Sequence, residues 1–351
     1  MAIELYGTTT LLGVQRRQQV DNLHWLDTYA NDQINFETEE VAWERVNPKR
    51  RLAPFVSPRV QGRIMRREGS TSRSIRPGYL KPKHEVNPFQ ARPRRVGERI
   101  GGDLTLEQRY NAIVAENLAE EQNMIRRRWD EMTGRAIIDG KYVIQTEDGD
   151  YPEVEIDFGR DPLLDLLLTL TARWGEADAD PLADLNTMRT RAFRLGGGRI
   201  DRITMGLGAF DLFFADTKVQ NLLKPDLIRG EASTLSTLSS PDANIESRGV
   251  LSGADGQGRL EVYTYAGTYH DYDGNEVELM DEFDVVGTGP LLRVTRCFGA
   301  IMDKRAQLRA LDMFPKMWDQ EDPSQTFTMT QSAPVMAPAE PNASFRIKTR
   351  G

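Results

Sequence analysis

Between Val46 and Arg95 seven prolines interrupt the chain: Pro48, Pro54, Pro58, Pro77, Pro82, Pro88 and Pro93. Each lacks an amide proton and biases the residue before it toward extended geometry, so no helix of useful length can form there. The stretch is also basic. Residues 45–99 hold 16 Lys plus Arg against only Glu68, Glu85 and Glu98, a local charge of +13. Arg59 to Arg67 and Pro77 to Val86 can pair as a two-stranded ribbon, with Gly69, Ser70, Thr71 and Ser72 at or near its tip. An isolated ribbon is marginal in water, and this one has no apolar face for its own chain. The free energy that orders it has to come from contact with something else.

The 351-residue chain has a net charge of −8, so everything outside the strip sums to −21 (−8 less +13). A basic strip on an acidic body can grip phosphates, or it can lie on the acidic surface of another copy of the same chain. The strip has few aromatics, Phe55, Tyr79 and Phe89, and its charges alternate with proline and glycine instead of lining a helix face. No groove-reading element is implied. A basic-armed protein that binds nucleic acid without regard to sequence stands as the alternative reading.

The remainder is long enough to bury a core as one large domain or two to three modest ones. No apolar run is long enough for a membrane span, and Met1 to Ala30 has no basic start followed by an apolar block, so a soluble, non-secreted protein is expected. The single cysteine, Cys297, excludes an internal disulfide and a cysteine-based metal cluster and fits a reducing compartment.

Residues 1–44 hold a short amphipathic helix candidate, Thr8 to Val20, and the cluster Leu23, Trp25, Leu26, Tyr29, too little pattern for a domain, which reads as an arm. From Leu106 to Met132 apolar residues recur mostly at three- and four-residue steps. Thr105 with Gln108 makes a capping-box start and Gly134 a stop, predicting a helix of roughly 28 residues, about 40 Å long. Strands are predicted at Lys141 to Gln145 and Glu153 to Phe158, followed by two helices opened by Asp161-Pro162 and Asp180-Pro181. Gly196 to Gly198 breaks the chain before a strand, Arg199 to Met205, and a helix from about Ala209 to Leu223. Several short strands follow over residues 245–287, with Asp273-Gly274 as a hairpin signal. Leu291 to Phe298, Gln325 to Ser332 and Ser344 to Thr349 then return to the first lobe, leaving residues 195–290 as an insert.

Sites for chemistry fail on inspection. His24, His84 and His270 lack the paired spacing of metal ligands. Gly206-Leu-Gly208 sits between a strand and a helix like a dinucleotide fingerprint, but Asp211 occupies the third glycine position and would repel pyrophosphate. Gly134 to Lys141 misses the phosphate-loop spacing and has Tyr142 where Ser or Thr should hold magnesium. Asp271, Asp273 and Asn275 resemble the start of a calcium loop, yet Glu276 stands where a turning glycine is required. No catalytic, metal or cofactor site is expected.

Residues 55–95 read FVSPRVQGRIMRREGSTSRSIRPGYLKPKHEVNPFQARPRR, and this block closely resembles the capsid protein E family of phage lambda and its relatives. GKYVIQTEDGDYPEVEIDFGR at 140–160 and FTMTQSAPVM at 327–336 resemble it too, whereas residues 161–325 do so loosely. The resemblance implies an α+β, HK97-type capsid fold. Residues 1–50 would be its N-terminal arm and 56–97 its extended loop. Residues 98–194 plus 291–351 would form its peripheral domain with a spine helix at 104–133, and 195–290 its axial domain. It also implies a non-enzymatic major capsid protein forming hexamers and pentamers of an icosahedral shell around double-stranded DNA, without sequence-specific binding and without a membrane. Scaffold, portal and decoration proteins would be its partners, and the virion its destination after assembly in the host cytoplasm. Inter-subunit contacts are expected from Arg59, Arg63, Arg66, Arg67, Arg73, Arg76, Tyr79, Lys81, Lys83 and His84 of the extended loop.

Overall fold

The helix that the apolar spacing predicts runs from Leu106 to Ile138, 33 residues, or about 50 Å. The computed structural model describes residues 6–18, 21–38, 40–45, 71–87, 104–144, 153–223, 234–238, 244–251, 258–271, 274–307, 309–322 and 325–350. In chain order its helices are α1 (Thr8–Gln15), α2 (His24–Tyr29), α3 (Leu106–Ile138), α4 (Pro181–Arg194), α5 (Leu207–Ala215) and α6 (Thr217–Leu223). The capping box of α3 is formed: the Gln108 amide donates to the Thr105 hydroxyl at 3.2 Å and the Thr105 amide to the Gln108 side chain at 2.8 Å. The expected stop at Gly134 is corrected, because the helix passes through it. A side chain there would meet Leu279 at 2.9 Å, so this glycine answers to packing against Leu279. The chain leaves the helix at Gly140, whose φ of +71° only glycine adopts cheaply.

Three sheets are arranged around α3. Its C-terminal half packs on a three-stranded sheet ordered Asp32–Asn35, Val294–Phe298, Pro334–Pro338, with Trp129 and Phe298 ring centroids 5.0 Å apart. Its N-terminal half lies on an antiparallel sheet ordered Phe314–Gln320, Gln325–Gln331, Lys83–Val86. A seven-stranded mixed sheet runs Asp165–Leu167, Ser344–Lys348, Asp284–Thr288, Arg202–Met205, Leu260–Tyr265, Ile245–Leu251, Thr234–Leu238. All five residues of Asp284–Thr288 are buried, as a strand near the centre of such a sheet requires.

Several local expectations are corrected by long-range pairing. The expected helix after Asp161-Pro162 is one 3₁₀ turn, Pro162–Leu164, and the leucines beyond it enter the strand Asp165–Leu167, parallel to Ser344–Lys348. The single helix expected to Leu223 is two, because Asp216 is extended and accepts the amides of Lys218 and Val219, starting α6. The ribbon partner Arg59 to Arg67 lies outside the described residues. Thr71–Ile75 pairs with Val41–Arg45, so Thr71 and Ser72 belong to a strand, and Lys83–Val86 pairs with Gln325–Gln331.

The segment read as an arm is anchored in the body. Trp25 and Leu26 are 0% and 1% exposed within the core shared with Trp129, Ile137 and Phe298. Their apolar cluster is too small to form a core of its own and adds to that of α3. A second core joins Trp174, Leu185 and Met188 to Ile203, Phe213, Val262 and Phe345. The expected division at 194/195 falls inside this second core.

Candidate functional site

The strand Lys83–Val86 closes the basic strip onto the body, and its alternating side chains do two different things. On the outer face the Lys83 ammonium sits 3.7 Å from the Phe327 ring centroid and 5.4 Å from that of Trp318, with Lys316 5.1 Å from the same Trp318 ring. On the inner face His84 Nδ1 lies 3.3 Å from Glu121 Oε1. Glu121 projects from α3 and is 0% exposed. A buried carboxylate is costly unless donors replace its water. Here the hydroxyls of Thr328 and Thr330 each donate at 2.7 Å, and Gln15 of α1 donates to the Thr330 hydroxyl at 2.9 Å. The hydrogen bond to Glu121 raises the His84 pKa above 6.5, outweighing the opposing effect of burial. Three segments thus meet at one carboxylate, and a fourth, α1, reaches it through the Thr330 hydroxyl, 315 residues from Gln15.

Of the expected contact residues, Arg59, Arg63, Arg66 and Arg67 lie outside the described residues. Arg73 is in the strand opposite Trp43, with its side chain outside the description. The others meet their own chain. Arg76 Nε is 3.5 Å from Glu40 Oε1, both largely exposed, and the Ser74 hydroxyl donates to the same carboxylate and lowers its pKa. The Tyr79 hydroxyl accepts the Met302 amide, and Lys81 lies 4.7 Å from the Tyr79 ring centroid. His84 turns inward because the strand's register with Gln325–Gln331 puts it opposite Thr328, on the side of α3.

Glu121 escaped the reading of the residues, although the pattern held a signal. It falls in the three- and four-residue series Val114, Leu118, Glu121, Ile125, the buried face of α3. The alternation Thr326, Thr328, Thr330 likewise marks one face of a strand carrying hydroxyls. Asp130 was missed in the same way. It accepts the Leu26 amide at 2.7 Å and supplies, from 104 residues away, the cap that Leu23 cannot give α2. Burial pushes its pKa up to about 7.

The glycines that resembled a cofactor fingerprint have a local cause. A side chain at Gly206 would stand 2.3 Å from the Glu282 carbonyl oxygen, so backbone of the same chain fills that space. Burial raises the Cys297 thiol to about 11, which makes it inert. Among the described residues no three His, Cys, Asp or Glu side chains are grouped to hold a metal.

The family described as phage major capsid protein E matches residues 7–349. A P21 prophage-derived major head protein of Escherichia coli O6:H1 is 31% identical over 350 residues, covering 96% of this chain and 97% of that one. The chain belongs to the phage major capsid protein E family. The major capsid protein of Escherichia phage lambda is 28% identical over 348 residues, with 97% and 98% covered. A crystal structure of an E. coli CFT073 prophage protein assigned to the capsid superposes with a TM-score of 0.73 at 22% identity, covering 98% of this chain and 99% of that one. This E-family protein is therefore a major capsid protein of a phage head, with the α+β HK97-type fold, and its copies assemble into the shell. Its family is a structural one.

Proposed function

We propose that the basic strip of one subunit lies across acidic surface of its neighbour, and that this contact closes five- and six-membered rings into an icosahedral shell around double-stranded DNA. The observation that carries the reading is the charge division, +13 in residues 45–99 against −21 elsewhere. Residues 261–284 hold eight Asp and Glu and no Lys or Arg, and Glu276, Glu278, Asp281 and Glu282 among them are exposed. Such a contact joins two different, complementary patches head to tail, the geometry that generates rings. Exposed ion pairs give roughly 0 to 1 kcal/mol each, so charge steers and registers the contact. Apolar burial adds the bulk at about 25 cal/mol per Å². Exposed Leu163, Leu167, Leu170 and Phe193 supply candidate area.

In this reading residues 1–50 act as the arm, 56–97 as the extended loop, 98–194 plus 291–351 as the peripheral domain, and 195–290 as the axial domain at ring centres. A scaffold, a portal and a decoration protein are the partners. DNA is enclosed without sequence-specific contact, the protein performs no catalysis and needs no cofactor, and assembly takes place in the host cytoplasm. Charge reversal of Arg63, Arg66 and Arg67 to Glu, examined by electron microscopy of the expressed chain, is expected to replace shells with free subunits. Restoration of shells by adding Glu276→Lys and Glu278→Lys would identify the acidic partner. Shells of the reversed chain indistinguishable from wild type would overturn the reading, and small particles of the wild-type chain that retard DNA in a salt-dependent way would favour the nucleic-acid alternative.

A further inference from the structure

Glu121 is fully buried on α3, and its hydrogen-bond partners come from two distant segments, Lys83–Val86 and Gln325–Gln331. Among the described residues two of its donors, the Thr328 and Thr330 hydroxyls, are neutral, and the third, His84, is titratable. The His84 side chain is 34% exposed, so protons reach it, whereas Glu121 is sealed at 0%. Among the described residues the groups that face His84 are few. From α3 they are Glu121 and Glu120, the latter held by Arg127 at 3.1 Å; on its own strand Lys83 and Glu85 alternate to the other face. The opposing strand Gln325–Gln331 contributes no ionisable side chain.

We infer that His84 and Glu121 form a proton-dependent latch that fixes the strand Lys83–Val86 of the basic strip to the spine helix. With His84 charged, the buried carboxylate has a cation and Lys83–Val86 is pinned between α3 and Gln325–Gln331. With His84 neutral, Glu121 keeps only neutral donors, and the strand is held by its backbone ladder and by Lys83 on Phe327. The sign is that of a histidine raised in the fold: its contribution is complete below pH 6.5 and is lost as pH rises through the higher folded value. Gln15 extends the same network to α1, so release of the latch loosens the N-terminal segment as well. Acid therefore stiffens Lys83–Val86 within the strip, and mild base frees it. That this strip reaches a neighbouring subunit rests on the function proposed above; the latch itself is a property of one chain.

The soluble full-length chain provides the test, so failure of the latch and failure of the assembly reading are distinguishable. Histidine-labelled NMR follows only three residues, His24, His84 and His270, with His84→Gln assigning the signal. His84 is expected to titrate above 6.5 and to fall toward 6.5 in Glu121→Gln. Hydrogen exchange of the peptide containing Lys83–Val86, corrected for intrinsic pH dependence, should accelerate about fivefold as His84 loses its proton, the ratio expected when a charge-assisted hydrogen bond gives way to a neutral one. His84→Gln should abolish that step, and His84→Lys should keep the strand protected at every pH. If Glu121→Gln does not fold, the two His84 variants decide. Titration of His84 at or below 6.5, or the same exchange profile in wild type and His84→Gln, overturns the latch.

Discussion

Replacing Asp130 with asparagine should uncover a pH dependence that the native chain conceals. Asp130 sits on the spine helix at 6% exposure and accepts backbone amides at the start of α2. Burial, partly offset by those amides, lifts its pKa from 3.8 to about 7. The fold therefore holds a proton that the unfolded chain releases. That contribution is complete below pH 3.8 and lost as pH rises to about 7. At 1.36 kcal/mol per pH unit the loss is about 4 kcal/mol. His24, on the helix that Asp130 caps, titrates over almost the same window with the opposite sign. Burial and then Arg202 lower it from 6.5 to about 4, so its contribution is complete above 6.5 and falls away as pH drops to about 4, a loss of about 3 kcal/mol. The two slopes nearly cancel in the native chain. Urea unfolding at pH 4, 5, 6 and 7 separates them. The stability of Asp130→Asn relative to wild type should rise by about 4 kcal/mol from pH 4 to 7, and that of His24→Phe should rise by about 3 kcal/mol from pH 6.5 to 4. Other carboxylates titrate in both chains and drop out of each difference. A difference flat to within about 1 kcal/mol across that range would refute the reasoning.

Arg346 bridges Asp139 and Asp284, and Asp284 is 2% exposed, with burial raising its pKa against the pull of the guanidinium. Arg346→Met should therefore cost about 3 to 5 kcal/mol in urea unfolding, most of it recovered in the double variant with Asp284→Asn. At Gly197 an added Cβ would fall 1.8 Å from the Asn342 carbonyl oxygen, so Gly197→Ala should cost about 3 kcal/mol or more and reduce the yield of soluble chain. Thr330→Val removes one donor to the buried Glu121 and should cost about 1 to 3 kcal/mol, which differential scanning calorimetry would record as a lower unfolding temperature.

Much of this architecture could be read from the chain because its cues act over a few residues. Thr105 and Gln108 cap the spine helix across one turn, and the apolar stripe behind them dictates its course. Asp180 and Pro181 open α4 by the same local means. In the strip at 45–99, proline and charge predict extended chain in need of contact, and its described part, residues 71–87, holds the paired strands Thr71–Ile75 and Lys83–Val86. Tertiary structure decided what such cues cannot reach. The leucines after Pro162 became a strand because Ser344–Lys348 was there to pair with them, and Lys83–Val86 joined Gln325–Gln331. Glu121 shows the limit most plainly: as a charged residue in an amphipathic helix it reads as solvated, yet hydroxyls 207 and 209 residues away make its burial tolerable. A helix or a turn is specified by neighbours in sequence, whereas the choice of strand partner and the partners of a buried charge are settled only when distant segments compete for the same core.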